Sequence, residues 1–252
     1  MSGPLFHNSP LILGYHSISE RRNDALAVSG SNFEYQLRWL SERGYHSLTL
    51  ADFLAGGKRS QGRVVIITFD DGYADNYSLA FPILQRYGFV ATVFLVSEYV
   101  NTDRVFPWDK PKIARTEERS LYEVLTWDQV EEMAKYGIEF GSHTCSHREL
   151  PGLSEAERWD EISRSRKELS TRLGQEVVSF SYPRGCLSPD VISQVAKAGY
   201  LGGVVTPTRV GIPHSEYTLG RIGVYQPNGR LTFRVKTNHW ARRTYETLLW
   251  LR

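Results

Sequence analysis

The stretch VVIITF (64–69), which runs directly into DDG (70–72), decides the fold of this 252-residue chain. Its apolar residues occupy both faces of an extended segment, as expected of a parallel strand with helices on one side and packed side chains on the other. Six further runs of this kind alternate with helical patterns; they span 11–14, 45–49, 91–96, 138–142, 177–182 and 202–205. Such alternation predicts an α/β fold with parallel strands and crossover helices, either a barrel or a doubly wound sheet.

The helical patterns between these runs carry explicit start and stop signals. Side chains that cap a first turn stand at three predicted starts: Thr126 with Gln129, Ser154 with Glu157, and Ser188 followed by Pro189. Gly199 supplies a stop for the last of these helices. No linker or internal repeat divides the sequence, so we predict a single domain over 1–252.

The composition excludes several classes of protein. Apolar residues make up 41% and charged residues 23%, which is typical of a globular domain and not of a disordered or collagen-like chain. The net charge of +2 is spread along the chain, so we expect no nucleic-acid partner. Only two cysteines, Cys145 and Cys186, and an N-terminal stretch without a signal-peptide pattern favour a cytoplasmic protein.

Two adjacent carboxylates, Asp70 and Asp71, stand at the C-terminal end of the predicted strand 64–69. Adjacent aspartates repel one another, and a metal ion held by one of them lets the other stay ionised and basic. The alternative is a helix N-cap or a turn, for which Asp and Gly are common residues. On its own the DDG motif favours the turn.

A second motif, GSHTCSH (141–147), places His143 and His147 after the predicted strand 138–142. Zinc and similar cations bind imidazole nitrogen and carboxylate oxygen, and a catalytic site keeps one position open for water. Together with Asp71, the two histidines would supply three ligands to a divalent metal, most simply zinc. Paired histidines at this spacing are otherwise a coincidence or a packing feature, and the combination with DDG favours the metal.

Two further motifs end predicted strands. In FSYPRG (180–185) the proline and glycine fix a turn, and the N–H of Arg184 is a candidate donor to a developing oxyanion. LGYHSIS (13–19) places His16 just beyond the first strand. The alternatives are an ordinary turn and a structural histidine. Barrel enzymes gather their catalytic groups at the C-terminal ends of several strands, so the four strand ends together favour a hydrolytic metal site.

These motifs resemble the polysaccharide deacetylases of the NodB-homology type. The matching segments are TFDDG (68–72), HTCSH (143–147) and SYPRG (181–185), and the similarity extends over roughly residues 10–224. The resemblance implies a distorted (β/α) barrel of about seven repeats and a metal-dependent hydrolase that removes N-acetyl groups from a sugar or glycan. It also implies that Asp70 is the general base and that Asp71, His143 and His147 bind the metal, most simply Zn.

The early YH and the FSYPRG form are most similar to the exopolysaccharide and poly-N-acetylglucosamine deacetylase branch. In that branch an N-terminal histidine faces the site, so His16 is our candidate for the acid that protonates the leaving amine. The turn residues Tyr182 and Pro183 are assigned with Arg184 to oxyanion or substrate binding. His214 and His239 are weaker candidates for the acid.

One departure concerns the turn, because this chain has Ser181 where many family members carry an arginine two residues before the proline. The usual later motifs that supply an aspartate, a tryptophan and a histidine are not found either. Two alternative functions therefore stay open. The same site could hydrolyse another C–N or ester bond, such as a formamide, a cyclic amide or an O-acetyl group, or the chain could be an inactive carbohydrate-binding relative.

Two segments fall outside the alternating pattern. Residues 98–125 form a polar loop that either shapes the site or is a surface insertion. Residues 228–252 hold six Arg or Lys against one Glu beside apolar residues near helical spacing. The latter pattern predicts a closing helix, and its alternative is a peripheral contact with the inner face of an anionic membrane.

Overall fold

Eleven strands and eight α-helices make up the described part of the chain, residues 10–56, 62–206 and 215–238 of a computed structural model. The strands are β1 (Leu11–Tyr15), β2 (Ser17–Ile18), β3 (Ala27–Val28), β4 (Tyr45–Ser47), β5 (Arg63–Phe69), β6 (Thr92–Leu95), β7 (Glu139–Ser142), β8 (Ser179–Ser181), β9 (Gly202–Val205), β10 (Leu219–Gly220) and β11 (Ile222–Gly223). The helices are α1 (Gly30–Ser41), α2 (Leu50–Leu54), α3 (Phe81–Tyr87), α4 (Lys110–Thr116), α5 (Trp127–Tyr136), α6 (Glu155–Leu173), α7 (Pro189–Lys197) and α8 (Arg230–Lys236). The seven predicted strands are all present, with ends that differ by one or two residues.

The main sheet is a nearly closed barrel of parallel strands in the order β10-β9-β8-β7-β6-β5-β1-β11, with β4 also paired to β5. Its closure depends on one short segment, residues 219–223, which we call the closing segment. The first part of the closing segment pairs with β9, and its last part pairs with β1. The barrel alternative of the sequence analysis is therefore confirmed, and the doubly wound sheet is wrong.

Alternate residues of each strand fill the barrel interior or face the helices. A small interior cluster contains Ile12, Ile66, Phe94 and Val204, with Leu50 of α2 beside them. The intervening strand residues join a larger outer core beneath the helices. Buried polar side chains stand at the C-terminal ends of the strands, which is where barrel enzymes carry their functional groups.

The predicted helix starts are confirmed by their capping contacts. Thr126 begins α5 and Ser154 begins α6, each as a complete capping box with the residue three positions later. The Ser188 side chain accepts a hydrogen bond from the Val191 amide at the start of α7. These contacts satisfy amide groups that the first helical turn leaves unpaired.

The two segments outside the alternating pattern have different outcomes. Residues 98–125 contain α4 and a 3₁₀ turn (Arg119–Tyr122) and bury Tyr99, Phe106 and Val124 in a cluster with Tyr73. In 228–238, α8 buries Phe233 against Trp39, while Leu231 and Val235 are exposed. Residues 239–252 lie outside the described residues, so the membrane contact stays a prediction. Among the described helices, none has the length and hydropathy needed to span a bilayer.

Candidate metal centre

The turn after β5 is forced by two consecutive left-handed residues. Asp71 has φ 72° and Gly72 has φ 74°. Glycine is required at position 72, because a Cβ there would lie 2.7 Å from a methyl group of Leu95. A non-glycine residue such as Asp71 adopts this conformation only where the surrounding structure holds it. The turn leaves both Asp70 and Asp71 buried at the mouth of the barrel.

Three predicted ligands converge at this mouth. The Asp71 Oδ1 atom lies 3.8 Å from His143 Nε2 and 3.5 Å from His147 Nε2. The three ligand atoms all fall within 4.8 Å of one another. Ligand atoms around a tetrahedral zinc ion lie about 3.4 Å apart, so the separations need little adjustment to hold one. The structure thus brings together residues from β5 and β7 that are more than 70 positions apart in sequence.

Both histidines are prepared as neutral ligands. The Nδ1 atom of His143 lies 2.7 Å from the carbonyl oxygen of Ser181, which leaves Nε2 facing Asp71. Burial lowers the pKa of His143 and of His147, so both imidazoles stay unprotonated at neutral pH. His147 is held at φ 63° by a hydrogen bond from its amide to the Thr144 hydroxyl. Neutral imidazoles of fixed orientation are what a metal site requires.

The environment of Asp71 fits a cation. Its Oδ1 atom is buried and has no hydrogen-bond partner among the described residues. Burial first, and then the nearby charges of Asp70 and Asp109, raise the pKa of Asp71 well above its usual value. A buried carboxylate of this kind calls for a positive partner, which a divalent ion bound by Asp71, His143 and His147 would provide.

The partner of Asp70 is a residue that the sequence analysis missed. Arg221, at the midpoint of the closing segment, donates from Nη1 to Asp70 Oδ1 at 2.8 Å and from Nη2 to Asp70 Oδ2 at 2.6 Å. Both side chains are almost completely buried. Paired hydrogen bonds of this type fix the orientation of a carboxylate as well as its charge. Arg221 therefore holds the carboxylate that the resemblance assigns as the general base.

Small and hydroxyl-bearing residues make room for the arginine. The Arg221 side chain passes Gly14, where a Cβ would lie 3.4 Å from its Nε atom. Thr68 and Ser181 accept hydrogen bonds from its guanidinium at 3.0 and 3.2 Å, and the Ser181 hydroxyl also donates to Asp70 at 3.0 Å. Ser181 thus stands in contact with an arginine that comes from elsewhere in the chain. The available sequence signal was an arginine enclosed in the short apolar run LGRIG (219–223).

Asp70 is ionised in this arrangement. Burial alone would raise its pKa, but the Arg221 guanidinium, through its charge and its hydrogen bonds, outweighs burial. The pKa of Asp70 therefore lies below its ordinary value, whereas the pKa of its neighbour Asp71 lies above. The pKa values of the two adjacent carboxylates are therefore shifted in opposite directions, which suits them to different roles. Asp70 is ionised and can act as a base, whereas Asp71 is suited to bind a cation.

His16 lies between β1 and β2 and faces the same carboxylate. Its Nε2 atom is 3.9 Å from Asp70 Oδ2, and its ring centroid lies 6.2 Å from that of Tyr225. Burial lowers the pKa of His16 to about 4, against the opposing effect of Asp70. The imidazole is therefore neutral at pH 7 in the resting protein. His214 and His239, the weaker candidates for the acid, lie outside the described residues.

The predicted turn is present at residues 182–185, and its side chains differ in how exposed they are. Arg184 has φ 55° within a 3₁₀ turn (Pro183–Gly185), and its side chain is exposed. Pro183 is buried. The ring of Tyr182 packs edge-on against Phe180 in the core with 1% of its surface exposed. The assignment of Tyr182 and Pro183 to oxyanion or substrate binding stays a prediction.

Residues 98–125 support the metal centre from one side. The Trp108 ring lies 4.5 Å from the His147 ring, and its Nε1–H donates to the Tyr73 hydroxyl at 3.1 Å. Tyr73 in turn donates to the buried Asp109 at 2.6 Å. Arg22 lies over the Tyr73 ring at 4.3 Å and 3.5 Å from Asp109. The segment therefore packs directly against the candidate metal centre, and its role in shaping the site stays a prediction.

Comparison with known proteins agrees with this geometry. The sequence model of the polysaccharide deacetylase family matches residues 57–203. YxkH of Bacillus subtilis (strain 168), whose name places it in the same family, is 34% identical over 217 residues, which cover 84% of this chain and 70% of that protein. The poly-beta-1,6-N-acetyl-D-glucosamine N-deacetylase of Staphylococcus aureus (strain MSSA476) is 28% identical over 240 residues, which cover 85% of this chain and 78% of that protein.

A solved structure extends the likeness to the whole barrel. The Streptococcus pyogenes deacetylase PplD, in complex with acetate, superposes with a TM-score of 0.73 at 27% identity and covers 89% of this chain and 96% of its own. The family match covers more than half of the sequence, and the site motifs fall within it or beside it. On these grounds the chain belongs to the polysaccharide deacetylase family.

Proposed function

We propose that this protein is a metal-dependent hydrolase that removes N-acetyl groups from an N-acetylated sugar or glycan. One observation carries the proposal: Asp71, His143 and His147 converge beside a second carboxylate, Asp70, that Arg221 keeps ionised. Amide hydrolysis needs a base for water, a means of stabilising charge on the carbonyl oxygen, and an acid for the amine. We assign each of these tasks to residues at the C-terminal ends of the barrel strands.

Asp71, His143 and His147 would hold the metal, for which zinc is the candidate because its preferred ligands are imidazole nitrogen and carboxylate oxygen. A zinc ion there would supply a Lewis acid that polarises the acetyl carbonyl and lowers the pKa of a water molecule. The hydrogen bond between His143 and the Ser181 carbonyl would keep the ligand atom aimed at the ion.

Asp70 then accepts a proton from the attacking water, whose oxygen forms a bond to the acetyl carbon. Arg221 keeps the Asp70 carboxylate oriented toward the reacting atoms throughout. The Arg184 amide, presented by a left-handed turn at the end of β8, is assigned to stabilise charge on the carbonyl oxygen. The C–N bond breaks, and acetic acid and a sugar amine form; at neutral pH these are present as acetate and the protonated amine.

His16 is assigned to protonate the amine as it leaves. Since His16 is neutral in the resting protein, it must first gain a proton. The proton that Asp70 takes from water is the available one, and the two side chains lie 3.9 Å apart. Transfer through His16 to the amine balances the reaction without a proton from solvent. The negative charge that develops on the substrate during the reaction stabilises the protonated form of His16.

The proposed substrate class is a glycan that contains N-acetylglucosamine. This proposal is supported by the named substrate of the Staphylococcus aureus relative, which is 28% identical to this chain. The half-buried Trp108 beside His147 and the exposed Arg184 form the rim on one side of the site. Aromatic rings at such positions suit the apolar faces of sugars.

The test is acetate release from N-acetylglucosamine oligomers by protein whose metal content has been measured. We expect activity with about one equivalent of zinc, and loss of activity in Asp70→Asn with the metal retained. A panel of O-acetyl sugars, formamides and cyclic amides tests the other bonds. Activity on one of those alone would overturn the N-acetyl assignment, and purified protein that binds no divalent ion would overturn the metal-dependent mechanism.

A further inference from the structure

Two residues just beyond the DDG motif contact the main chain that carries His16. The Asn76 side-chain amide donates to the His16 carbonyl oxygen at 2.8 Å. The Asp75 carboxylate accepts from the Ile18 amide at 3.1 Å and also from the Ser17 hydroxyl. Three consecutive residues, 16–18, are therefore bound by two consecutive residues, 75–76, from another part of the chain.

His16 needs such contacts because it lies where the strand ladder is interrupted. β1 ends at Tyr15 and β2 begins at Ser17, where it pairs with β3 and not with the barrel. The last barrel contact before His16 is a hydrogen bond from the Asp70 amide to the Tyr15 carbonyl at 3.0 Å. Contacts from residues 70, 75 and 76 therefore surround His16 on both sides in sequence.

The local backbone supports a dedicated role for this contact. Asn76 is 1% exposed and opens a five-residue π-helical turn (Asn76–Ala80) that precedes α3. Turns of this kind are rare and are found often at functional sites. Asn76 is the first residue of this turn, and its side-chain amide reaches the His16 carbonyl.

We propose that Asp75 and Asn76 are positioning residues that hold His16 at its distance from Asp70. The inference rests on the proposed function, in which His16 protonates the leaving amine. The connection after β5 would then position both groups. It carries the base, Asp70, and it holds the acid, His16, through residues 75–76. Neither Asp75 nor Asn76 is itself a catalytic residue, since each acts through its contacts with residues 16–18.

The experiment compares two leaving groups. An N-acetylglucosamine oligomer must expel an amine and needs the acid, whereas 4-nitrophenyl acetate expels a stable phenolate and does not. We expect Asn76→Ala to lower kcat on the oligomer by roughly 10-fold to 100-fold, since general acids contribute factors of this order or more. On the aryl ester we expect a change of less than about 3-fold, with KM for both substrates and the zinc content unchanged, because the metal centre is untouched.

A double-mutant cycle separates positioning from general damage. In the His16→Ala background, Asn76→Ala should lower kcat on the oligomer by less than about a further 2-fold, because both changes act through the same imidazole. Ser78→Ala is the matched control, since Ser78 lies in the same π-helical turn, is exposed, and bonds only to Ala74 in the described structure. If Asn76→Ala does not fold, Ser17→Ala carries the test, because it removes one Asp75 contact and leaves Asn76 intact.

Three outcomes would overturn the inference: equal losses on both substrates, no loss on the oligomer, or independent effects of His16→Ala and Asn76→Ala. A wild-type protein that releases acetate from no N-acetylated sugar would overturn the proposed function, and the inference with it. If the wild-type protein is active on the oligomer and the effects of His16→Ala and Asn76→Ala are additive, the inference is overturned and the proposed function is not.

Discussion

Arg221 and Asp70 form a two-point ion pair at the barrel mouth across a separation of 151 positions in sequence. Both side chains of the pair are buried, and Arg221 is the main positive charge that offsets Asp70. It also closes the ring of strands, since its own segment bridges the first and last strands of the barrel. The counter-charge of Asp70 and the closure of the barrel therefore depend on the same short segment.

Replacing Arg221 with methionine should reduce both stability and activity. Removal of one partner of a buried ion pair costs about 3–5 kcal/mol, because the remaining charge loses its compensation. Loss of the oriented base should lower kcat by about 100-fold or more. Urea unfolding and acetate release are the two measurements.

The Arg221→Met defect also has a specific rescue. Ser181 touches both Asp70 and Arg221, so a second change, Ser181→Arg, places a guanidinium next to the same carboxylate. We expect the double variant to recover part of the lost activity. A matched control, Ser179→Arg, adds the charge two residues earlier in β8, beside Glu139 and away from Asp70. Equal behaviour of the two double variants would contradict the role of Arg221 as the partner of Asp70.

Removing a metal should lower the thermal stability of the wild-type protein more than that of a ligand variant. A bound ion stabilises the fold by about 2.7 kcal/mol when its concentration is a hundred times its dissociation constant. The melting temperature of wild-type protein should therefore fall when a chelator is added, whereas that of His147→Ala should not change. Scanning calorimetry with and without zinc checks this, and an unaffected wild-type transition would argue against a bound metal.

Trp108→Ala should weaken metal binding although tryptophan is not a ligand. Its ring packs on His147 and its Nε1–H anchors Tyr73, two residues from Asp71. Loss of groups that orient metal ligands typically lowers affinity about 10-fold to 100-fold. Calorimetric titration with zinc measures the effect. Trp159→Ala is the control, because that ring is exposed on α6, and a similar loss of affinity there would show that the effect is nonspecific.

Stability should depend on the ionisation of Asp75. Burial raises the pKa of Asp75 to about 6, against the lowering effects of its hydrogen bond with Ser17 and the charge of Arg22. Since the folded pKa lies above the unfolded one, the contribution to stability is fully present below about pH 4 and is lost as the pH rises through 6. The linkage amounts to at most about 3 kcal/mol.

Asp75→Asn removes this titration and keeps an acceptor for the Ile18 amide. The difference in unfolding free energy between wild type and variant should therefore change between pH 4 and pH 7 and be constant outside that window. Urea unfolding across this range is the measurement. A difference that does not vary with pH would show that Asp75 titrates at its ordinary value in the folded protein.

The strands were predictable because each is a short apolar run bounded by turn residues. The convergence of Asp71, His143 and His147 was predictable because these residues follow such runs, and parallel strands share one mouth. The short strands β2, β3, β10 and β11 were not predictable, since two residues carry no periodic pattern. Their pairing is imposed by tertiary contacts.

Arg221 and Asn76 were missed for the same physical reason. Each acts through a contact between segments distant in sequence, and neither belongs to a motif with a chemical signature of its own. The orientation of Tyr182 could not be read from its motif either. Its place in FSYPRG suggested a role at the site, and the structure packs its ring in the core beside Phe180.

The closing segment, 219–223, lies near the C-terminal end of the described chain and supplies both the last strand pairings and the counter-charge of Asp70. Synthesis on the ribosome runs from the N-terminus, so strands β1 to β9 emerge before the segment that joins β9 to β1. We therefore expect a fragment that ends before residue 219 to lack both the pairings that close the barrel and the counter-charge of Asp70.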